Sequence, residues 1–547
     1  MKNPGADPQT GREVLKAFLQ EKSLLGPLRV MAERVGRFFQ IPLPFFNPYI
    51  VFGPENVRKV LVTERHKFLW RNHDPVTDLL DRGVLVTDGA EHDHYRGLME
   101  PSLHPGKLPG YAEMMREQAR RVSATWQDGQ VVDMLVEGRK IALLIIIQAL
   151  FSRDAWDDLP KIWTPILKAI DYISPGAWIL WRQIPRPGYK KHLQVLDAYL
   201  YQIIAERRAA IANHQLPIYG DLLQHLIDAG LSDHIIRDQM LTMLIAGHDT
   251  STALLAWVFA MLGQHPETYA HLQRQLVETP PDKTPPLLDQ VIKETLRLYP
   301  PIHIGNRIVT QDVTFEEGQV IPAGARMFYS IYLTHRDPQI WEDPNSFCPA
   351  RFAHGRQTPP MAYIPFGGGP RACIGAAFGQ MEARIVLRFL LETFEFTTIS
   401  SAFPLQKPVS PSVFPFSPLS ESVSPSASPL PPLSESVSPS ASPLPPLSES
   451  VSPSASPLPP LSESVSPSAS SLSPLSESVS PSASSLSPLS ESVSLSASSL
   501  PPLSESVSPS ASPLPPLSNL FPRMGATLEP RPGVFLRVAR RKSHSPI

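Results

Sequence analysis

The chain has 547 residues, a formal charge of −2, 63 prolines and two cysteines. A charge that near balance argues against nucleic acid or an acidic membrane surface as partner. Two thiols cannot build a disulfide framework, which points to a reducing, cytoplasmic setting, and without CxxC or HExxH spacing they argue against zinc.

Residues 1–7 are polar, with no signal-peptide core. Residues 14–37 predict one or two amphipathic helices, with Val14, Leu15, Phe18, Leu24 and Leu25 apolar, broken by Pro42 and Pro44. A strand over 49–52 ends in Gly53-Pro54, and 55–64 again predicts helix. Asp88 opens a helix on which His92 and Arg96, four apart, share one face. Helices then dominate to about Gln275, broken at Pro101, Pro105, Pro175, Pro185, Pro187 and Pro217. The most apolar run, 141–151, is too short to span a bilayer and reads as a buried core helix, so no membrane anchor is expected. Trp178-Ile179-Leu180-Trp181 falls between two helical stretches and reads as core.

The longest helical stretch is 231–263. Its centre, Ala246-Gly247-His248-Asp249-Thr250-Ser251-Thr252, puts glycine, an acid and three hydroxyls in mid-helix, against local propensity. Such a breach has a reason; the expectation is that Gly247 opens the backbone ladder there. Glu294 and Arg297, three apart on the next helix, can pair.

The stretch Phe366-Gly367-Gly368-Gly369-Pro370-Arg371-Ala372-Cys373-Ile374-Gly375 holds one of the two thiols. Three glycines and a proline force a tight irregular loop, and 376–387 follows with a helical apolar stripe. Cys373 therefore sits at a helix start, where free N–H groups and the helix dipole are expected to lower its pKa and hold a thiolate. Such a thiolate suits nucleophilic attack or metal ligation, and a buried Cys in a turn is the plain alternative.

The frame Phe366-x-x-Gly369-x-Arg371-x-Cys373-x-Gly375 resembles the haem-thiolate loop of the cytochrome P450 superfamily, in its soluble bacterial type. The resemblance implies a mainly α fold with a small β region, with haem b (iron protoporphyrin IX) between the long central helix and the cysteine-ligand helix. It makes Cys373 the axial ligand of the metal, places Phe366 beside it, and gives the propionates to His92, Arg96, Arg307 and Arg371. A thiolate ligand favours O–O cleavage. Ala246-Gly247-x-Asp249-Thr250 is similar to the family's proton-relay motif, so Asp249 and Thr250 become the catalytic pair, with water or O2 in the groove at Gly247; His248 falls at a variable position and receives no role. Glu294 and Arg297 are then buried behind the haem, with Arg351 as third member; Ala350, where the family often has an acid, does not touch that triad. Residues 301–304 are implied to line the substrate pocket, and the region of Trp178 and Trp181 to match a mobile lid.

The implied reaction inserts one atom of O2 into a lipophilic small molecule, by hydroxylation or epoxidation. No flavin or nicotinamide motif is present, so electrons are expected from a separate ferredoxin or flavodoxin with its reductase. A haem-thiolate sensor without turnover, or a repeat scaffold with an inactive haem domain, are the alternatives. Asp249 and Thr250 speak against the first, the complete haem motifs against the second.

After residue 400 the composition turns to Ser, Pro, Leu, Ala and Val, with Glu at 421, 435, 449, 463, 477, 491 and 505, a spacing of fourteen. Frequent proline forbids helix and spoils sheet ladders, which predicts an extended, disordered tract. The expected organisation is a monooxygenase domain over 1–400, the repeats over 401–518, and over 519–547 the closing hairpin of the same domain with a tail. Closing a loop ten times longer adds only about 2 kcal/mol, so the domain tolerates the insertion. Residues 524–527 are expected to approach the pocket.

Overall fold

The computed structural model describes residues 8–21, 23–41, 47–70, 74–175, 186, 188–214, 220–315, 318–399, 517 and 520–541. The cluster at 178–181 and the repeats lie outside these residues. All described residues belong to one compact unit that draws chain from both sides of the repeats.

The N-terminal stripe becomes two helices, α1 (Pro8–Glu21) and α2 (Leu25–Val35), followed by strands β1 (Phe38–Gln40) and β2 (Tyr49–Val51). Next come α3 (Pro54–Arg58), a π-helical turn (Lys59–Thr63), β3 (Phe68–Leu69), α4 (Pro75–Leu80), α5 (Gly89–Leu103) and α6 (Ala112–Ser123). Strand β4 (Val131–Asp133) leads into α7 (Met134–Phe151), whose first turn is capped by Asp133 through Leu135 N–H at 3.0 Å. Then follow α8 (Leu159–Ile173), α9 (Lys190–Ala212), α10 (Leu222–Asp228) and the 32-residue α11 (Asp233–Gln264).

The helices α12 (Pro266–Glu278) and α13 (Pro286–Leu298) precede strands β5 (Ile304–Val309), β6 (Val313–Thr314), β7 (Val320–Ile321) and β8 (Arg326–Ser330). After the short α14 (Ile331–Thr334) come α15 (Ala376–Thr393), β9 (Phe394–Thr398), β10 (Phe521–Met524), β11 (Leu528–Arg531) and β12 (Phe535–Arg540).

Helix α11 is apolar on all sides and packs against α7, α9, α13, α15 and β11, which makes it the centre of the helical layer. It is long and apolar enough to cross a membrane, yet 78% of its apolar window is buried inside the protein. The run at 141–151 lies in α7 and is almost wholly buried, as its composition predicts. The main sheet has strand order β1-β2-β8-β5-β3, antiparallel except for β2 beside β8, where Tyr49 pairs with Met327.

The C-terminal strands depart from the single closing hairpin expected. β10 and β11 do form an antiparallel hairpin, Met524 opposite Leu528. β12 instead leaves it and lies between β4 and β9, with Phe535 opposite Asp133 and Val538 opposite Phe396. The cause is apolar: Val534, Leu536 and Val538 are buried in the same core as Phe396 and Val132, which a continued hairpin would leave open.

Candidate active site

The glycine loop is built for close approach. Gly367 and Gly369 hold φ of +70° and +65°, and a Cβ on Gly369 would overlap the Leu61 carbonyl oxygen, so only glycine fits. Cys373 N–H donates to the Phe366 carbonyl at 2.8 Å and closes the loop three residues before α15. The Cys373 residue is exposed, although its thiol is desolvated by surrounding protein. Burial pushes the thiol pKa up, against the Gly375 N–H and Arg96, which pull it down. The helix-start donor is there as expected, but desolvation outweighs it and does not pull the thiol toward a thiolate. A bound metal ion would, since a coordinated thiol is deprotonated.

Three arginines and a histidine, from α5, the glycine loop and β5, lie near one another, and Arg96 pairs with Glu100 at 3.2 Å. Arg96 donates from Nη1 to the Ala372 carbonyl at 2.9 Å, tying α5 to the residue before Cys373. Arg371 reaches the Leu85 carbonyl at 3.3 Å, the Thr87 carbonyl and Asp88 at 3.1 Å. Burial holds its pKa down; Asp88 pulls it up and Arg307 pushes it down again. His92 is buried and held toward its neutral form, first by desolvation and then, against Asp93, by Arg371 and Arg96. Arg307 is buried between the rings of Trp70 and Tyr329, at 4.8 and 5.2 Å, and donates to the Asn306 carbonyl at 2.7 Å. It makes no carboxylate pair among the described residues. A buried guanidinium without an acid, beside other cations that repel it, fits a dianionic group.

The centre of α11 has two faces. Ala246 is exposed inside a run of buried residues, and Thr250, one turn on, is half-buried; its Oγ1 donates to the Ala246 carbonyl at 2.8 Å. This is the open face. The ladder itself is unbroken, contrary to expectation: α11 runs helical through Gly247. What glycine provides is contact, because a Cβ there would stand 2.6 Å from Ile146 Cδ1 on α7.

Asp249 points into the packed side. Its Oδ1 accepts from Arg139 Nη1 at 3.1 Å, and its Oδ2 from Thr527 Oγ1 at 2.7 Å. Arg139 also pairs with Glu529, which Arg531 holds in turn at 2.8 Å. Burial raises the Asp249 pKa, opposed by Arg139 and reinforced by Glu529. Asp249 and Thr250 are thus neighbours on the helix whose side chains bond elsewhere, not to each other. His248, with both ring nitrogens unpartnered, is kept neutral by burial and by Arg139.

Arg139, Thr527, Glu529 and Glu382 were not singled out by sequence. Glu382 on α15 accepts from Ser251 Oγ at 2.7 Å, and burial pushes it up to about 8, so it is neutral at pH 7. The available signal was a charge inside an apolar helix, at Arg139 within 134–151 and at Glu382 within the stripe after Cys373. The 524–527 segment does approach the central helix, through Thr527.

Glu294 and Arg297 are fully buried and pair at two points, both 2.8 Å. Arg297 also donates to the carbonyls of His335, Pro344 and Ser346, and Glu294 accepts from Cys348 N–H at 2.8 Å. Arg351 Nε comes to 3.4 Å of Glu294, near enough for attraction though too long for a hydrogen bond.

The family described as Cytochrome P450 matches residues 14–419. The chain is a cytochrome P450. Among its relatives, a cyclooctat-9-en-7-ol 5-monooxygenase from Streptomyces melanosporofaciens is 28% identical over 377 residues, 64% of this chain and 81% of that one. The cyclooctatin synthase of the same organism is 28% identical over 417 residues, 70% of this chain and 87% of that one. A solved structure, "Retinoic acid bound cyanobacterial CYP120A1", superposes with a TM-score of 0.62 at 25% identity, over 70% of this chain and 90% of that one. This P450 is a haem-b monooxygenase. Its own residues fit that cofactor on two counts, a thiol at the loop and a buried guanidinium, Arg307, that pairs with no carboxylate among the described residues.

Proposed function

We propose that this P450 oxygenates a lipophilic small molecule, by hydroxylation or epoxidation, with electrons from a separate ferredoxin or flavodoxin and its reductase. The observation that carries this reading is apolar surface left exposed on two elements of the site. Ala246 is exposed in mid-helix, and Ile302, 39% exposed, follows the Pro301 carbonyl that accepts from Leu528 N–H of β11. Apolar surface left open on a folded core favours an apolar ligand.

In this reading Cys373 would ligate the haem iron, with Phe366 beside it, and His92, Arg96, Arg307 and Arg371 would hold the propionates. Bound haem supplies reductive activation of O2 and transfer of one oxygen atom. Thr250 Oγ1 can accept and donate a proton once it turns from the Ala246 carbonyl. Asp249 holds the proton to be delivered, a role that its raised pKa supports. The repeats form an insertion in one domain, a reading supported by the pairing of β12 with β9 across them. A soluble, cytoplasmic enzyme belongs to the same proposal.

The test is a lipophilic panel that includes cyclooctat-9-en-7-ol and retinoic acid, the compounds named with the relatives. Binding is read as displacement of water from ferric haem in the absorption spectrum. Product is then sought by mass spectrometry under 18O2 with a surrogate ferredoxin system. Binding without label incorporation from any panel member would refute the reading.

A further inference from the structure

The buried acid of α11 does not stand alone with its cation. Arg139, from α7, lies between two carboxylates, Asp249 on α11 and Glu529 on β11. All three side chains are buried, so each carboxylate competes for the same guanidinium with little help from water. Glu529 has a second partner in Arg531; Asp249 has only the Thr527 hydroxyl, a group that can give or take a proton. The remaining titratable neighbour, His248, is neutral and adds no charge.

We propose that Glu529 is a positioning residue for Asp249: by drawing Arg139 to itself, it leaves Asp249 free to carry a proton. The inference rests on the proton role proposed above for Asp249. It gives a residue after the repeats a part in setting the proton affinity of Asp249. Charge balance gives the sense of it. If Arg139 belonged to Asp249 alone, the ion pair would be closed and the carboxylate fixed as an anion. With Arg139 shared and Glu529 negative nearby, the neutral acid is favoured, the direction found for Asp249. A proton on Oδ2 can then pass to Thr527 Oγ1, or leave after a side-chain turn toward the open face, without stripping a full salt bridge.

The experiment uses full-length holoenzyme. Infrared difference spectra are recorded on photolysis of carbon monoxide from the ferrous protein. The protonated-carboxyl band of Asp249 is identified by its loss in Asp249→Asn. In Glu529→Gln that band should titrate away at least about one pH unit lower than in the parent. In Glu529→Gln/Arg139→Met, where neither competitor remains, it should return to the parent value or above. An unmoved midpoint in Glu529→Gln overturns the proposal, as does the absence of any band lost in Asp249→Asn. The same variants are assayed for hydrogen peroxide released per O2 consumed. If the band moves as expected while Asp249→Asn leaves that ratio unchanged, the competition stands and the proton-delivery role of Asp249 falls.

Discussion

Two buried charge clusters in this P450 contain the same residue types and behave differently. On α13, Arg297 serves a single carboxylate, Glu294, which it meets at two points, and the rest of the guanidinium is taken up by three backbone carbonyls. Between α7, α11 and β11, one arginine serves two carboxylates, and next to it lies a histidine with no partner on either nitrogen. Burial is equal in the two; stoichiometry is not. A closed pair fixes chain segments in place, and here it joins α13 to the turns at 335, 344, 346 and 348. A shared cation leaves burial free to raise the pKa of one acid, and a buried acid with a raised pKa can act as a proton store.

Breaking the closed pair should have the largest effect. Arg297→Ala strands Glu294 in the interior and should cost about 3–5 kcal/mol, giving a chain that purifies with little haem. Denaturant unfolding and haem content read this directly. Asp249→Asn attacks the open cluster and should reverse the balance. Its unfolding midpoint should stay near the parent's while product formation falls about 100-fold or more and peroxide release rises. Equal stability losses in the two variants would erase the distinction drawn here.

A smaller effect is expected at the seam that brings α7 and its Arg139 to α11. Gly247→Ala meets Ile146 Cδ1 at 2.6 Å and should cost about 1–3 kcal/mol. Ile146→Ala in the same chain should recover part of that loss, because the obstacle is the end of a flexible side chain. The smallest effect concerns Glu382. Its folded pKa of about 8 lies above the ordinary carboxyl value, so the folded protein binds the extra proton. Stability from this group is complete at low pH, declines from the unfolded carboxyl range, and is lost as pH rises through about 8. Glu382→Gln should therefore flatten the fall of the melting temperature across that window and leave the acid side unchanged. A melting profile that is parallel in both proteins would show that Glu382 is charged throughout.

Much of the fold was legible because its signals are local. The stripe at 14–37, the apolar run at 141–151 and the long stretch at 231–263 each became helices near the expected bounds. The Cys373 loop was legible through glycines that a side chain would block, at Gly369 against Leu61. The reading of Gly247 failed for a tertiary reason: a helix interior tolerates glycine, and what demands it is Ile146 a hundred residues away. The closing hairpin formed from β10 and β11, but β12 left it, since it answers to the core around Phe396 rather than to its neighbour in sequence.

The sequence by itself determined the helix pattern, the thiol at a glycine-bound turn and the motif order that marks the family, because propensity, periodicity and spacing act over a few residues. Tertiary structure alone decided the charges. That Arg139, Asp249, Thr527 and Glu529 meet, that Arg307 has no acid partner among the described residues, and that the Cys373 thiol is desolvated all depend on which segments pack together. Burial is a property of the assembled chain, and it sets the strength of every electrostatic term in this site.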